Sequence, residues 1–262
     1  MSAPLYTVGA AGYDHVFASA TQRFVPALLR AACVANGRSV LDVATGTGEA
    51  AAAAAAIVGP SGSVFAGDIS PAMLDVARNK LGDTAVVLEA LDAHDLPYRD
   101  SQFDAVICQL GLMLFSDPAR ALAEFRRVLR QGGRVAVTVS TTPERTLFLR
   151  VAAVIARHVP GRAPALRQHF AITDERALGT LLASAAFRDI EVKVERHEFR
   201  FASFEDYFGG IERGATLSGQ EYVSLPPSIQ RAVRDEVRET LAKDCNGALA
   251  VPMEVLIGSG RR

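Results

Sequence analysis

Ser39-Val-Leu-Asp-Val-Ala-Thr-Gly-Thr-Gly-Glu49 decides how the chain folds. Val40, Leu41 and Val43 read as a short buried strand that stops at Thr45-Gly46-Thr47-Gly48. An alanine-rich run from Ala50 to Val58 follows, with no breaker before Gly59-Pro60. The order is strand, tight glycine turn, helix. Gly46 and Gly48 let the backbone turn sharply and approach a ligand without a Cβ in the way. The first amides of the helix are unpaired and aim at whatever lies there, and the alanines let the helix lie close against the sheet. Such a turn at the carboxyl end of a strand is the usual ligand crevice of open α/β sheets.

Gly46-x-Gly48-x-x-Ala51 satisfies the dinucleotide fingerprint, and Asp68 stands twenty residues after Gly48, where a ribose-binding acid belongs. The glycines alone therefore do not separate NAD(P) from other adenosine ligands. The charges discriminate further. Asp42 ends the strand and Glu49 opens the helix, so two carboxylates flank the turn. Against a pyrophosphate, each like pair at roughly 4 Å costs about 1 kcal/mol in water and about 4 kcal/mol at an effective dielectric of 20. Against a ligand carrying a sulfonium and an ammonium they attract, which favours S-adenosylmethionine. The competing account of Glu49 is a solvated first-turn acid stabilised by the helix dipole.

The 262 residues are 49% hydrophobic and 22% charged, an ordinary globular composition with enough chain for one large core or one domain plus a cap. A net charge of −1 gives no electrostatic case for a nucleic-acid or membrane partner. Cys33, Cys108 and Cys245 are too widely spaced for a disulfide framework or a zinc site, so a reducing cytoplasm is expected. No basic segment precedes an apolar run at the N-terminus. The longest apolar run is too short to span a bilayer. Oligomeric state is left open.

Along the chain, a helix is predicted from about Val25, with Pro26 in its first turn and Asn36-Gly37 as its end. Ser63–Asp68 reads as a second strand, and Ser70-Pro71 as a helix start leading to Met73, Ala77 and Leu81. Ala85–Leu91 is a third strand closed by Asp92, and Phe103–Leu110 a fourth. Asp117-Pro118 caps a helix with Leu122, Phe125 and Leu129 on one face, ended by Gly132-Gly133, and Arg134–Val139 is a fifth strand. Strands alternating with helices imply a parallel sheet covered on both faces. Past Ser140, helices are expected over Leu147–His158, after Thr173-Asp174, over Phe204–Ile211 and over Ser228–Lys243, the last with Arg231 facing Asp235. Ile190–Phe201 reads as a strand exposed on one face. Met253–Ile257 is a last strand, with Pro252 at its first residue or in a bulge.

Taken together, Val40-Leu-Asp-Val-Ala-Thr-Gly-Thr-Gly48, Gly67-Asp-Ile-Ser-Pro-Ala-Met-Leu74, Ala90-Leu-Asp-Ala-His-Asp-Leu-Pro97, Phe103-Asp-Ala-Val106 and Arg127-Val-Leu-Arg-Gln-Gly-Gly-Arg-Val135 carry a resemblance. Over roughly Val40–Val139 the chain resembles the class I S-adenosylmethionine-dependent methyltransferases, in the small-molecule branch of the ubiquinone and menaquinone C-methyltransferases. Gln131 departs from the proline usual before Gly-Gly, a residue that only presets the turn. The resemblance implies an α/β, Rossmann-like, doubly wound sheet of seven strands, mostly parallel with an antiparallel last strand, plus a helical cap. The expected layout is one domain over 1–262, with an N-terminal helical segment at 1–36. A cofactor-binding core follows at 37–140, and cap insertions at 141–186 and 202–247 cover the acceptor site.

Position and resemblance together assign the cofactor residues. Asp42 flanks the turn, and the amides of Ala44, Thr45, Gly46 and Gly48 cradle the amino-acid end. Asp68 accepts both ribose hydroxyls. Ile69 and Met73 pack on adenine, with core packing the rival account for Met73. Asp92 accepts from the adenine amino group beside the Ala93 amide. Gln109 and Leu110 face the methionine part through their backbones, and Tyr13 reaches for the carboxylate. Phe17, Met113, His169, Phe170, Tyr207 and Phe208 are candidates for an apolar acceptor pocket, with plain cap core as the alternative.

Methyl transfer from a sulfonium is an in-line displacement, and orienting the reactants is worth roughly 7–11 kcal/mol. A base is needed only where the acceptor must lose a proton. His15, His94 and His169 are the candidates, His94 being expected at the surface after the adenine loop, and no catalytic residue is assigned. No carboxylate cluster suggests a metal. The alternatives are an NAD(P)-dependent oxidoreductase and a non-catalytic S-adenosylmethionine-binding protein.

Overall fold

The computed structural model describes residues 19–82, 84–146, 149–162, 172–214, 216–244 and 249–262. Seven strands form one sheet: β1 (Ser39–Val43), β2 (Ser63–Asp68), β3 (Val86–Ala90), β4 (Phe103–Gln109), β5 (Leu129–Ser140), β6 (Arg188–Phe201) and β7 (Leu249–Arg261). Their order is β3-β2-β1-β4-β5-β7-β6. The first five are parallel, while β7 runs antiparallel to both β5 and β6. Among the described residues the helices of seven residues or more are α1 (Val25–Ala31), α2 (Glu49–Val58), α3 (Pro71–Leu81), α4 (Pro118–Val128), α5 (Leu149–His158), α6 (Glu175–Ser184), α7 (Phe204–Glu212), α8 (Leu217–Val223) and α9 (Pro227–Asp244).

The pleat of β1 explains how the sheet is sandwiched. Val40 enters one apolar cluster with Leu28 and Leu29 of α1 and Ala50, Ala51 and Ala54 of α2. Leu41 and Val43 point the other way, into a cluster with Leu122 and Phe125 of α4 and Leu178 and Leu182 of α6. The same second cluster runs on into the later helices through Val151, Tyr207, Phe208, Val233 and Val237, so those helices share the core of the sheet.

Local chemistry sets the helix starts. Ser70, Asp117 and Asp174 each accept a hydrogen bond from the amide three residues on, the N-cap arrangement that satisfies an otherwise orphaned donor.

Several boundaries differ from expectation. α1 stops at Ala31, before Asn36-Gly37. Cys33 takes φ 53°, and the bonds Val34 N→Leu29 O and Cys33 N→Arg30 O close the helix in a Schellman arrangement with cysteine at the glycine position. α4 ends at Val128, and Leu129 is extended and pairs with Phe103. Gly132-Gly133 therefore lie inside β5 and end no helix. The β4–β5 register shifts there, and a Cβ on Gly133 would sit 3.0 Å from the carbonyl oxygens of Arg130 and Asp104, so the glycine serves an irregular strand. Pro252 lies inside β7, opposite Glu198, in continuous register with its neighbours. β5 has already ended, its last pair being Ser140–Val255. At Pro252 the strand has β6 alone as a neighbour among the described strands, so β7 is an edge there, where proline is tolerated. On α9, Arg234 and Arg238 pair with Glu205, and Glu236 pairs with Arg157 and His158, in place of the expected Arg231–Asp235 contact.

Candidate functional site

The strand order places a topological switch between β1 and β4: the chain leaves β1 toward β2 and β3, then crosses back to β4. A crevice outside the carboxyl ends of the strands is expected at that point. Residues from four strand ends line it: Ala44–Gly48 after β1, Asp68 ending β2 with Ile69 after it, Asp92-Ala93 after β3 and Gln109-Leu110 where β4 ends. Bonds between the ends hold the row in register. Thr45 N donates to Gly67 O at 3.0 Å, and Leu91 N donates to Asp68 O at 3.2 Å. Across the switch the backbones come close, since a Cβ on Gly111 would sit 2.6 Å from Ala44 Cβ and 2.8 Å from Cys108 Sγ.

Two non-glycine residues bordering this gap have left-handed backbones, Ala44 with φ 58° and Leu110 with φ 54°. Each such conformation costs roughly 1–3 kcal/mol and persists only where neighbours over-determine it. Leu110 is held by its amide, which donates to Thr138 O at 3.1 Å and to Thr138 Oγ1 at 2.9 Å. Gly46, with φ 56°, would carry its Cβ into space with no atom within 4 Å. The turn is therefore open on the side to which that Cβ would point.

The acids around the turn differ in role. Asp68 accepts from the amides of Gly46 and Ser70, each at 2.9 Å. Burial raises its pKa, and those same bonds oppose the rise. A carboxylate offers about four acceptor positions, which leaves capacity for a further donor. Asp42 is fully buried beneath the turn. Its Oδ2 accepts from Thr45 Oγ1 at 2.7 Å, while Oδ1 has no partner. Burial pushes its carboxyl up to about 7, opposed by the Thr45 bond and helped by the negative charges of Asp68 and Glu49.

Glu49 accepts from Thr47 Oγ1 at 2.7 Å and is ion-paired to Lys80 at the end of α3. Of the two carboxylates expected to flank the turn, Asp42 lies under it and Glu49 is matched by a lysine. Lys80 escaped sequence reading because it is distant in sequence, although its place one turn after Ala77 was a usable signal.

Ile69 is 59% exposed, an apolar side chain standing free beside Asp68. Met73, expected beside it, is 2% exposed and belongs to the interior. Asp92 has a side chain 51% exposed. Its Oδ1 accepts both the His94 amide at 2.9 Å and His94 Nδ1 at 2.6 Å. The His94 amide, with the His94 ring after it, holds the Asp92 carboxyl below its usual range. His94 is turned inward, its side chain 18% exposed, in contrast to its expected surface position.

Gln109 uses its side chain, Nε2 donating to Thr21 O at 2.7 Å, and so ties the segment before α1 to the end of β4. Met113 lies in the short turn after Leu110, where the Ser140 amide approaches its sulfur at 3.5 Å. Tyr207 is enclosed by Phe201, Phe204 and Phe208, with ring centroids 5.3, 6.3 and 6.4 Å away. It is a core residue of the helical region, as is Phe208. Tyr13, His15, Phe17, His169 and Phe170 lie outside the described residues. Sequence reasoning passed over Thr45 Oγ1, Lys80, Thr138 and Gly111. Gly111, following Leu110 at a strand end, carried a readable signal of close approach.

The row suits an adenosine bearing positive charge. It provides acceptors for vicinal hydroxyls and an amino group, an exposed apolar side chain next to Asp68, and an open turn. A diphosphate would meet Asp68 beside that turn, with the lysine there already matched to Glu49, so the NAD(P) alternative gains no support from the site.

A family model described as a methyltransferase domain matches residues 41–137. The chain is 37% identical over 179 residues to a demethylmenaquinone methyltransferase of Clavibacter sepedonicus, covering 63% of this chain and 71% of that one. It is 40% identical over 118 residues to a ubiquinone/menaquinone biosynthesis C-methyltransferase of Saccharophagus degradans. That match covers 44% of this chain and 47% of the relative, so the chain spans about half that relative's length. A crystal structure of a putative methyltransferase from Bacillus halodurans shares the fold at TM-score 0.59 and 23% identity, covering 90% of this chain and 97% of the other. No described helix is long and apolar enough to cross a membrane.

Proposed function

Because the chain belongs to the class I S-adenosylmethionine-dependent methyltransferases, we propose that it methylates a small, apolar organic acceptor in the cytoplasm. The observation that carries this is the row at the ends of β1, β2 and β3: an open Gly46 turn whose amide donates to Asp68, the exposed Ile69 next to that acid, and the half-exposed Asp92 after β3. When bound, S-adenosylmethionine supplies a methyl group already activated on a sulfonium.

The chain's own work is binding, orientation and exclusion of water. Asp68 accepts from the ribose hydroxyls with the lone pairs that Gly46 and Ser70 leave free. Ile69 covers adenine, and Asp92 with the Ala93 amide reads its edge. The amides of Ala44–Gly48 hold the amino-acid end, with Asp42 acting through the turn, and Gln109 and Leu110 close the opposite wall. Met113 begins the acceptor side, and residues 141–186 and 202–247 form the cap over it. Tyr13, Phe17, His169 and Phe170 complete this reading from outside the described residues. Orientation of this kind contributes roughly 7–11 kcal/mol.

The Clavibacter relative's name makes a reduced demethylmenaquinone the first acceptor to try. The test is calorimetry with S-adenosylhomocysteine, followed by turnover with S-adenosylmethionine against an acceptor panel led by that quinol. Micromolar binding and acceptor-dependent formation of S-adenosylhomocysteine are expected. Absence of binding up to millimolar ligand sinks the reading.

A further inference from the structure

The loop after β3 and the loop before α4 are joined through one imidazole. Asp117 N donates to His94 Nε2 at 3.2 Å, with Ser116 Oγ 3.5 Å from the same nitrogen. A backbone amide can only donate, so Nε2 is the acceptor nitrogen of a neutral ring, and the proton sits on Nδ1. That proton points at Asp92 Oδ1, 2.6 Å away, the oxygen that also accepts the His94 amide. The remaining oxygen, Asp92 Oδ2, has no partner among the described residues, and the carboxyl is half exposed. Arg120 Nε donates to the His94 carbonyl at 2.9 Å, and the Phe115 ring stands edge-on to the imidazole at 5.8 Å between centroids. The ring is thus held on both nitrogens, from its own backbone and on one face.

We infer that His94, held as its Nδ1–H tautomer, is a positioning residue for adenine recognition. It occupies Asp92 Oδ1 and leaves Oδ2 as the one oxygen presented to the adenine amino group. The restraint is geometric. A free aspartate rotates about χ2 and exposes either oxygen in a broad range of directions. An oxygen already bonded by both the amide and the ring of one residue cannot rotate without losing two charge-assisted bonds. Through Asp117, the N-cap of α4, the clamp also anchors the adenine loop to the segment that carries Met113. His94 therefore takes no part in proton transfer, and its duty is the direction of one acceptor.

This inference rests on Asp92 being the adenine reader, and the experiment separates the two. Binding of S-adenosylhomocysteine is compared with binding of its 6-deaminated inosyl analogue by calorimetry, for the wild type, Asp92→Ala, His94→Ala, His94→Asn and His94→Gln. Wild type prefers the adenosyl ligand. Asp92→Ala removes the preference. His94→Ala lowers it about tenfold, mainly by weakening adenosyl binding. His94→Asn, whose amide still donates toward Asp92, recovers part of the preference and serves as the readout if the alanine variant does not fold. Glutamine, which reaches toward Asp117 instead, recovers less.

A preference lost in Asp92→Ala but intact in His94→Ala or His94→Asn alike with full adenosyl affinity overturns the inference and leaves the adenine reading standing. A preference intact in Asp92→Ala overturns both. In the ligand-free protein, long-range nitrogen–proton NMR is expected to show the Nδ1–H tautomer, and an Nε2–H tautomer overturns the clamp independently of any ligand.

Discussion

The amide of Gly46 donates to Asp68 Oδ2 at 2.9 Å, so the turn after β1 and the acid that ends β2 hold each other in place. Asp68 thus shapes the crevice before any ligand arrives, and the same carboxylate supports the start of α3 through the Ser70 amide. A residue with both duties is expected to show both in its variants.

Asp68→Ala removes the acceptor of two backbone amides in a buried setting, at a cost of about 1–3 kcal/mol in stability. It also removes two bonds to the ribose, each worth about 1.5–3 kcal/mol when the acceptor is charged, so affinity for S-adenosylhomocysteine falls about 100-fold or more. Urea unfolding and calorimetry check the two effects separately. Unchanged affinity would take Asp68 out of the site whatever happens to stability.

Gly46 and Gly48 separate binding from folding. A Cβ on Gly46 enters empty space, whereas one on Gly48 would lie 3.2 Å from Leu81 Cδ1 and 3.4 Å from Ala77 Cβ, against α3. Both alanine variants suffer the positive φ, a strain of roughly 1–2 kcal/mol. Gly46→Ala is expected to fold and to bind S-adenosylhomocysteine at least tenfold more weakly, because its methyl occupies the cradle. Gly48→Ala is expected to lose more stability, because α3 must shift as well. Thermal unfolding with and without ligand distinguishes them, and equal ligand-induced shifts in Gly46→Ala and wild type would count against the cradle.

What the sequence made legible was local. The glycine turn, the caps at Ser70, Asp117 and Asp174, and the acids at strand ends all act within a few residues of themselves, so their chemistry can be read in order. What it hid was set by partners far along the chain. Lys80 matches Glu49 from thirty-one residues away, and that removes half of the electrostatic case first made for a cationic ligand. Leu129 continues the period of α4, yet sheet pairing with Phe103 takes it. α8 was missed because Leu217-Ser-Gly-Gln-Glu-Tyr-Val223 has a glycine in its middle and little apolar periodicity, while its cap, Thr216 accepting from Gly219 N at 2.9 Å, was the one available signal. Met73 and Tyr207 have the residue types of a ligand pocket and the burial of a core, a distinction that only packing makes.

Gly111→Ala tests the closeness of β1 and β4. Its methyl would meet Ala44 Cβ and Cys108 Sγ inside contact distance, in a region where two left-handed backbones already store strain. Overpacking typically costs about 1–3 kcal/mol, and here relief requires separating the strand ends. Lower stability together with weaker S-adenosylhomocysteine binding is expected in chemical denaturation and calorimetry. A double variant that also carries Ala44→Gly is expected to recover part of both, and failure of that rescue would show that the clash is not with Ala44.

Asp42 gives the site a pH dependence whose sign can be worked out. Its carboxyl moves from the usual 3.8 to about 7 in the folded protein, chiefly through burial. The native state therefore holds the proton more tightly than the unfolded chain. The stability contributed by this group is present in full below pH 3.8 and is lost as pH rises through about 7. Asp42→Asn cannot ionise, so in urea unfolding its stability relative to wild type is expected to climb from pH 5 to pH 8. Parallel curves would show that Asp42 is already ionised in the fold. Ligand charge works in the opposite direction. A cation seated at the turn favours the carboxylate, so S-adenosylmethionine uptake near pH 7 is expected to expel a proton, and uptake of S-adenosylhomocysteine, which lacks the sulfonium charge, to expel less. Calorimetry in two buffers of different ionisation enthalpy measures that difference directly, and it should vanish in Asp42→Asn. If the two ligands release protons equally in the wild type, the buried acid does not sense the sulfonium.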